Sequence, residues 1–517
     1  MRSGGQIPAA GALLAGGWLA VELARGGVPW TAAFFLSLAL LCFLQSREGG
    51  LKAHPDLSVF LAALAFYLSS FRWRGGDDIP ASLIPLSVLR HGTLALDPVL
   101  DPWLSGKAEN FVVRADGHVL SVFSVVPGLL ALPVYLIPVA CGAPITESFL
   151  HNLSKLSASL IVAASVAAFR RAVLKRCSGQ WALVLTGFYA LGSFAFSVSS
   201  QGLWEHGPAQ LGLALALWGL SGSGRGHDLL SGAGLGLAVA ARPESALLAC
   251  ASGGFLLFHQ TRRLPRFLLG AALPLGLWVC YWLHYTGRLQ PPEWEHHARI
   301  FQGLMPTALW ALAASPTRGL VFFSPFAAFG ALSLLSPRRP LAAWLLSGCL
   351  ANLLLIASYA GWSGGMSFGT RTLAGIVLVL AFFCSELEER IRGSPWLLAA
   401  WSASGAFSIL VHSLGAYLNW PGSFRFQEAQ ARAWDWSLHP VAQLFSAEGG
   451  LGALSPWLRL GLGLALILGF ALLAVFIKRL LDPRKPPPCV AGAPNRRASR
   501  GGSSPGKRPG AGGARWP

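Results

Sequence analysis

The chain has 517 residues, of which 53% are hydrophobic and only 12% are charged, and its mean hydropathy is +0.53. A soluble globular domain carries roughly 25% charged residues, so this composition excludes an ordinary soluble fold and predicts a polytopic membrane protein. The net charge of +18 is expected in loops on the cytoplasmic side, and no soluble domain offers the basic surface that nucleic-acid binding needs.

Apolar runs of approximately membrane length follow one another along the chain, and several are shorter than about 20 residues, so helices must tilt or share boundaries. The predicted fold is all-α, with residues 1–480 forming the transmembrane domain. Residues 481–517 are rich in Pro, Gly, Ser and Arg and are predicted to form a disordered basic cytoplasmic tail. The runs cover residues 8–24, 30–45, 57–72, 121–140, 149–169, 180–198, 206–221, 228–241, 243–258, 266–285, 319–336, 340–360, 371–386, 395–417 and 460–478.

The distribution of Lys and Arg sets the predicted orientation, because these residues gather in cytoplasmic loops. Strict alternation places the basic loops inside together with the tail only if one run before residue 169 does not cross the bilayer. The run 121–140 is the best candidate, since its three prolines make a poor straight span. About fourteen crossings remain, both termini lie in the cytoplasm, and residues 73–148 form the main extracytoplasmic loop. The basic loops are 169–179, 259–266, 337–340 and 386–393.

Two adjacent acids, Asp77 and Asp78, begin that loop in a chain that has only 22 acidic residues. One interpretation is a solvated loop start, or an ion pair with Arg72 or Arg74. The functional interpretation is a carboxylate at the membrane surface that acts as a general base, kept ionised by a nearby arginine such as Arg74. Adjacent acids in a loop do not easily point the same way, so one is expected to work while the other orients or pairs.

Three arginines stand next to apolar runs on the predicted outer side, against the usual bias of positive charge. They are Arg242, Arg318 and Arg371. Each alone can be an interfacial arginine whose long side chain reaches the headgroups. Together they favour the binding of a lipid phosphate, because guanidinium groups bind phosphate through paired hydrogen bonds.

Glu205 and His206 lie at the outer end of another run, where they are either structural or in contact with substrate. Motifs for nucleotide binding, dinucleotide binding and serine hydrolysis do not occur in the sequence, which argues against ATP-driven transport and hydrolase chemistry. The sequence predicts no cofactor and no metal site, and it leaves the need for a divalent metal open.

Six segments in order resemble motifs of bacterial membrane glycosyltransferases of the GT-C superfamily, near the branch of protein O-mannosyltransferases and aminoarabinose transferases. The resemblance covers roughly residues 57–380. The segments are GGDDIPASLIPLSVLRHGTLALDP, GHVLSVFSVVPGLLALPVYLIP, SQGLWEHGPAQLGLALAL, LGLAVAARPESALL, SPTRGLVFFSP and WSGGMSFGTR.

The resemblance implies a GT-C-like bundle with juxtamembrane helices in the first large extracytoplasmic loop, and a catalytic Asp in that loop. It further implies a polyprenyl-phosphate sugar as donor, with its phosphate held by Arg242, Arg318 and Arg371, and a lipid or glycan as acceptor. The implied location is the bacterial inner membrane, with the active site facing outside. The implied reaction is an inverting displacement in which the Asp takes the proton of the acceptor hydroxyl.

The local sequence favours Asp77 as the base, because Pro80 can begin a surface helix and place Asp78 near its N-cap. The alternative functions are a transporter or flippase of lipid-linked saccharides and a saccharide polymerase. A transporter should show related halves and charged groups near the middle of the bilayer, which the sequence does not show clearly.

Overall fold

The computed structural model describes an almost entirely helical chain. The residues described are 6–47, 49–70, 76, 78–100, 111–289, 301–335, 339–365, 367–418, 431–446 and 454–482. The predicted tail from residue 483 onwards, Arg74 and Asp77 lie outside these residues.

The described residues form helices in nearly every predicted apolar run, as well as one short hairpin. The helices are α1 Gln6–Arg25, α2 Pro29–Ser46, α3 Pro55–Leu68, α4 Asp78–His91, α5 Val126–Ala140, α6 Glu147–Val173, α7 Gly179–Leu191, α8 His206–Ser221, α9 Arg225–Ala241, α10 Ala246–His259, α11 Leu264–Thr286, α12 Pro306–Ala314, α13 Leu320–Phe323, α14 Pro325–Ala328, α15 Arg339–Ala357, α16 Ala374–Phe383, α17 Glu388–Gly393, α18 Pro395–Tyr417, α19 Pro440–Gln443 and α20 Pro456–Leu481. The antiparallel strands are β1 Val112–Ala115 and β2 His118–Ser121.

Six helical segments of the described chain are long and apolar enough to cross a membrane, so the all-α polytopic fold is confirmed but the number of fourteen spans is not. Some predicted runs are shorter or broken in the structure. The run 319–336, for example, is divided into α13, α14 and the 3₁₀ turn Phe329–Leu335, because Pro325 cannot continue the preceding helix. The six segments are Pro29–Ser46, Glu147–Val173, Thr261–Thr286, Pro340–Ala357, Pro395–Tyr417 and Pro456–Leu481.

The centre of the bundle is built on α6, which packs against α3 and α8, while α8 packs on α9 and α9 on α11. Glycines set the close approach of α8 and α9. A Cβ at Gly212 would lie 2.5 Å from the carbonyl oxygen of Gly234, and the reverse contact is equally short. Since neither position has room for a side chain, the two backbones pack as closely as small residues allow in membrane helices.

Three of the predicted cytoplasmic loops meet at one end of the bundle. Arg176 forms a buried ion pair with Glu386, which joins the loop after α6 to the segment before α17. Arg176 also donates to Ser221 at the end of α8, and Gly219 on the same helix end accepts a hydrogen bond from Arg263. The loops that carry these arginines therefore share one face, as the orientation argument requires of them.

The segment between α3 and α6 differs from the expectation of helices lying on a membrane surface. Residues 80–87 of α4 are all buried, so this helix is packed into the protein rather than exposed along one side. It begins at Asp78, not at Pro80, and lies against α5 and α6. The 15 residues of α5 span about 22 Å, less than the roughly 30 Å hydrocarbon core. That α5 does not cross the bilayer stays a prediction.

Candidate functional site

Asp78 occupies the first position of α4, and its side chain points into the protein. The residue is only 3% exposed, and its Oδ2 accepts a hydrogen bond of 3.2 Å from the Ser154 hydroxyl on α6. Its backbone carbonyl accepts a hydrogen bond from Ser82 one turn later. A carboxylate at a helix N-terminus is favoured by the helix dipole, and the hydroxyl of Ser154 fixes its direction.

The turn between the π-helical segment Ala195–Ser199 and α8 lies directly against this carboxylate. A Cβ at Gly202 would be 2.8 Å from Asp78 Oδ2 and 3.4 Å from Nε1 of Trp204. Because glycine has no side chain, the carboxylate and the indole approach the same point of the backbone. The same Ser154 hydroxyl that binds Asp78 also accepts the backbone N–H of Leu203 at 2.9 Å. One serine thus joins the acid to the turn.

Arg371 comes from the far part of the chain and stacks on the Trp204 ring. Its Cζ lies 4.4 Å from the ring centroid. The arginine begins the 3₁₀ turn Arg371–Leu373 after the glycine-rich loop 361–370. A guanidinium over an indole face is attracted by the ring quadrupole. The structure therefore brings two predicted site residues, Asp78 and Arg371, close to the same turn: Asp78 lies against Gly202, and Arg371 stacks on Trp204.

Arg242 and His206 form the next contact along the same end of the bundle. The Arg242 guanidinium contacts the imidazole of His206, with Nη1 2.7 Å from Nε2, and it also forms an ion pair with Glu244. His206 lies within electrostatic reach of both Arg242 and Arg371. Two of the three predicted phosphate-binding arginines therefore lie near one imidazole.

The side chain of Glu205 takes part in hydrogen bonds that join separate segments of the protein. Its carboxylate accepts the backbone N–H of Ser124 at 2.6 Å, and the hydroxyl of Ser124 donates to the carbonyl of Ala240 near the end of α9. The start of α8, the start of α5 and the end of α9 are therefore tied together. These contacts favour the structural interpretation of Glu205.

Arg318 is 3% exposed, and its guanidinium donates to backbone carbonyls of the glycine-rich loop. The acceptors are Ser367 at 2.9 Å, Gly365 at 3.2 Å and Gly369. The residue therefore supports the loop that ends in Arg371. This geometry favours a positioning role over the direct contact with phosphate that the sequence predicts.

Lys155 is a residue that the sequence reasoning missed. It lies on α6 next to Ser154, is fully buried, and donates to the carbonyl of Ser200 at 2.9 Å and to Oε1 of Gln201 at 3.1 Å. A lysine inside an apolar run of membrane length is itself a signal, since ionisable residues within spans are expensive and are usually functional. No group of three or more His, Cys, Asp or Glu suited to a metal ion occurs in the part of the chain that the structure describes.

No protein-family model matches the chain, and no curated protein matches it in sequence. Among solved structures the chain is similar to ArnT from Cupriavidus metallidurans bound to undecaprenyl phosphate. The identity is 12% and the TM-score 0.45, and the alignment covers 83% of this chain and 74% of that chain. The resemblance expected from the motifs is found again here, as a similarity and no more.

A second similarity is to the Archaeoglobus fulgidus oligosaccharyltransferase in its apo form, with 14% identity, a TM-score of 0.39, and coverage of 77% of this chain and 58% of that chain. The same oligosaccharyltransferase, AglB, in complex with an inhibitory peptide and a dolichol-phosphate gives 12% identity, a TM-score of 0.32, and coverage of 86% and 57%. The chain spans less than three fifths of these two structures. Similarity at this level carries no information about substrate or about individual residues.

Proposed function

We propose that this protein is a membrane glycosyltransferase that moves a sugar from a polyprenyl-phosphate donor to a hydroxyl of a lipid or glycan acceptor. The observation that carries the proposal is the junction at Trp204. Asp78 lies against the turn that presents this tryptophan, and Arg371 stacks on its ring. An acid and a cation almost 300 positions apart in the sequence are thereby assembled at one end of the bundle, as transfer from a lipid phosphate requires.

The proposed reaction is a direct displacement at the anomeric carbon. The carboxylate of Asp77 takes the proton of the acceptor hydroxyl, the acceptor oxygen forms the new bond to carbon, and the bond from that carbon to the phosphate oxygen breaks. The electron pair of that bond leaves with the lipid phosphate, whose growing charge is stabilised by Arg371 and Arg242. Because attack and departure take place on opposite sides of the carbon, the configuration inverts.

Asp78 has a positioning role in this proposal. Its carboxylate is buried at the start of α4 and accepts a hydrogen bond from Ser154, so it is held in place inside the protein. It orients the preceding residue, Asp77, and adds negative charge that attracts the arginines. The proposed location is the inner membrane of a bacterium, with the site facing outside.

The test uses the purified protein in lipid nanodiscs with a panel of polyprenyl-phosphate sugars and lipid acceptors. Asp77→Asn is expected to lower the rate of sugar transfer by about 10²–10⁴ while the donor still binds, since it removes the general base. Asp78→Asn is expected to reduce thermal stability or donor binding more than the chemical step. The matched control is Asp116→Asn, because Asp116 is an exposed acid in the same loop, and its φ of 47° suits asparagine.

Full activity in Asp77→Asn would contradict the assignment of the base, and full activity in both variants would contradict the mechanism. Movement of an intact lipid-linked sugar across the bilayer without transfer would instead support the flippase alternative.

A further inference from the structure

We infer that Lys155 is a positioning residue that caps the π-helical segment Ala195–Ser199 from a neighbouring helix and so fixes the turn that presents Trp204. This inference rests on the proposed function for its catalytic consequence, but its structural part can be tested without any activity.

The amine of Lys155 binds at the end of the π-helical segment. Ser200 directly follows that segment, and its N–H closes it by donating to the carbonyl of Ala195 at 3.0 Å. The carbonyls at the end of a helical segment carry partial negative charge and have no partner within the segment. Lys155 supplies a donor from another helix to the carbonyl of Ser200 at 2.9 Å.

The contact of Lys155 continues through the side chain of Gln201. The Oε1 of Gln201 accepts from Lys155, while its Nε2 donates to the Ser70 hydroxyl at 3.1 Å and to the carbonyl of Phe196 at 2.9 Å. Ser70 is the last described residue before the segment that leads to the acid pair. Lys155 is therefore bonded directly to the turn before α8 and is connected through Gln201 to Ser70, which follows α3.

Ser154 and Lys155 are adjacent on α6. Ser154 bridges Asp78 and the backbone of Leu203, and Lys155 bridges Ser200 and Gln201. Two consecutive residues of α6 thus hold both ends of the turn 200–203, with the carboxylate of Asp78 against its middle at Gly202. No carboxylate of the described residues forms an ion pair with Lys155, and both of its hydrogen bonds go to this turn.

Lys155→Met removes the donor of both hydrogen bonds but leaves their acceptors in place. Oε1 of Gln201 loses this buried partner, and the carbonyl of Ser200 keeps only its bond from Ser159. The melting temperature in detergent is therefore expected to fall. A general loss of stability would speed hydrogen exchange in many parts of the protein, whereas loss of the cap should speed it selectively in the turn 200–203.

The experiment measures hydrogen exchange of the intact protein in nanodiscs, resolved to the peptide that covers residues 195–206. In Lys155→Met the amides of this peptide are expected to exchange about ten- to a hundredfold faster, as the loss of the donor to a buried acceptor implies. Lys155→Gln keeps an N–H donor, and its exchange rate should fall between those of the wild type and Lys155→Met. Ser159→Ala is the matched control, because Ser159 donates an uncharged bond to the same Ser200 carbonyl at 3.1 Å.

Transfer kinetics complete the test. Lys155→Met should lower kcat at least tenfold and also raise KM for the donor, since the turn that it holds lies against Asp78 and presents the Trp204 platform of Arg371. Unchanged exchange in the 195–206 peptide would overturn the inference, as would faster exchange with an unchanged kcat. If Lys155→Met exchanges faster but the wild-type protein transfers no sugar, the capping role is supported and only the proposed function is rejected.

Discussion

The guanidinium of Arg371 lies over the indole of Trp204, with 4.4 Å between Cζ and the ring centroid. This pair joins the glycine-rich loop to the entry of α8, two regions between which helices α8 to α15 lie in the sequence. The pair also lies close to Asp78, because the Trp204 indole and the Asp78 carboxylate both approach the backbone at Gly202. The stacking orients the arginine, and we expect the orientation to matter more than the charge alone.

The first prediction is that Arg371 and Trp204 act as one unit. Arg371→Lys keeps the charge but loses the planar group, and Trp204→Ala removes its platform. Each is expected to raise KM for the lipid donor about five- to thirtyfold, in line with roughly 1–2 kcal/mol for a desolvated cation–π pair. Because both changes remove the same interaction, the double variant should be little worse than either single one. Additive effects in this double-mutant cycle would contradict the pairing.

The second prediction separates Arg318 from the phosphate-binding group. Arg318→Met leaves three loop carbonyls without their charged donor and is expected to lower the free energy of unfolding by about 2–4 kcal/mol. Arg432→Met is the control, since Arg432 is a partly exposed arginine whose ion pair with Asp435 should contribute only about 0–1 kcal/mol. Thermal unfolding in detergent measures both. A variant of Arg318 with normal stability and weak donor binding would restore the direct phosphate role.

The sequence predicted the helical membrane fold and which basic loops share a face, because apolar runs and Lys/Arg asymmetry report directly on the environment of each segment. It also selected Asp78, Arg242 and Arg371 as candidates, since polar residues at the ends of apolar runs are rare enough to stand out, and their functional roles stay predictions. The sequence could not show that α4 is buried, because its apolar pattern is the same for a helix on a membrane surface and a helix inside the bundle.

The specific roles within the site depended on contacts that sequence does not contain. Arg318 and Arg371 look alike in the sequence, yet one donates to backbone carbonyls and the other stacks on an aromatic ring. Lys155 was visible as a charge within an apolar run, but only the approach of α6 to the turn 200–203 shows what it binds. Tertiary contacts of this kind join residues too distant in the chain for local patterns to connect.

The third prediction concerns cysteine labelling as a measure of orientation in the membrane, and the pH dependence of the labelling of Cys177. Burial raises the pKa of the Cys177 thiol to about 12, and the nearby Glu388 carboxylate adds to the rise. The thiolate is the reactive form, so at pH 7.5 maleimide labelling of Cys177 should be at least about a thousandfold slower than that of an ordinary cysteine, and it should accelerate with rising pH. The native thiol is therefore a poor reporter of sidedness.

Two introduced cysteines are better reporters of sidedness. Both positions are exposed, and they lie at opposite ends of the bundle. Lys175→Cys lies in the basic loop after α6, and Asp116→Cys lies at the tip of the hairpin. The background must lack all eight native cysteines, because Cys141 is itself exposed in the same predicted outer loop as residue 116. In that background an impermeant reagent added to intact cells should label the residue-116 variant and leave the residue-175 variant unlabelled. The reverse pattern would place the candidate site on the cytoplasmic side.

The last prediction tests the contact between the turn and the acid without touching either the acid or an arginine. Gly202→Ala adds one methyl group 2.8 Å from Asp78 Oδ2, closer than a carbon can lie to that oxygen, so the carboxylate must move. The flexible end of an aspartate moves at low cost, and the melting temperature should therefore fall by only a few degrees. The hydrogen bond from Ser154 would be lengthened. Because the proposed role of Asp78 is to orient Asp77, such a displacement would misplace the base, and an error of this kind can cost about a hundredfold in rate. Gly187→Ala is the control, because Gly187 lies in α7 with open space around its Cβ position, and alanine favours the helix. Transfer assays on both variants decide the matter: a Gly202→Ala protein with normal kcat would show that the position of the Asp78 carboxylate has no part in the reaction, even if the acid itself proved essential.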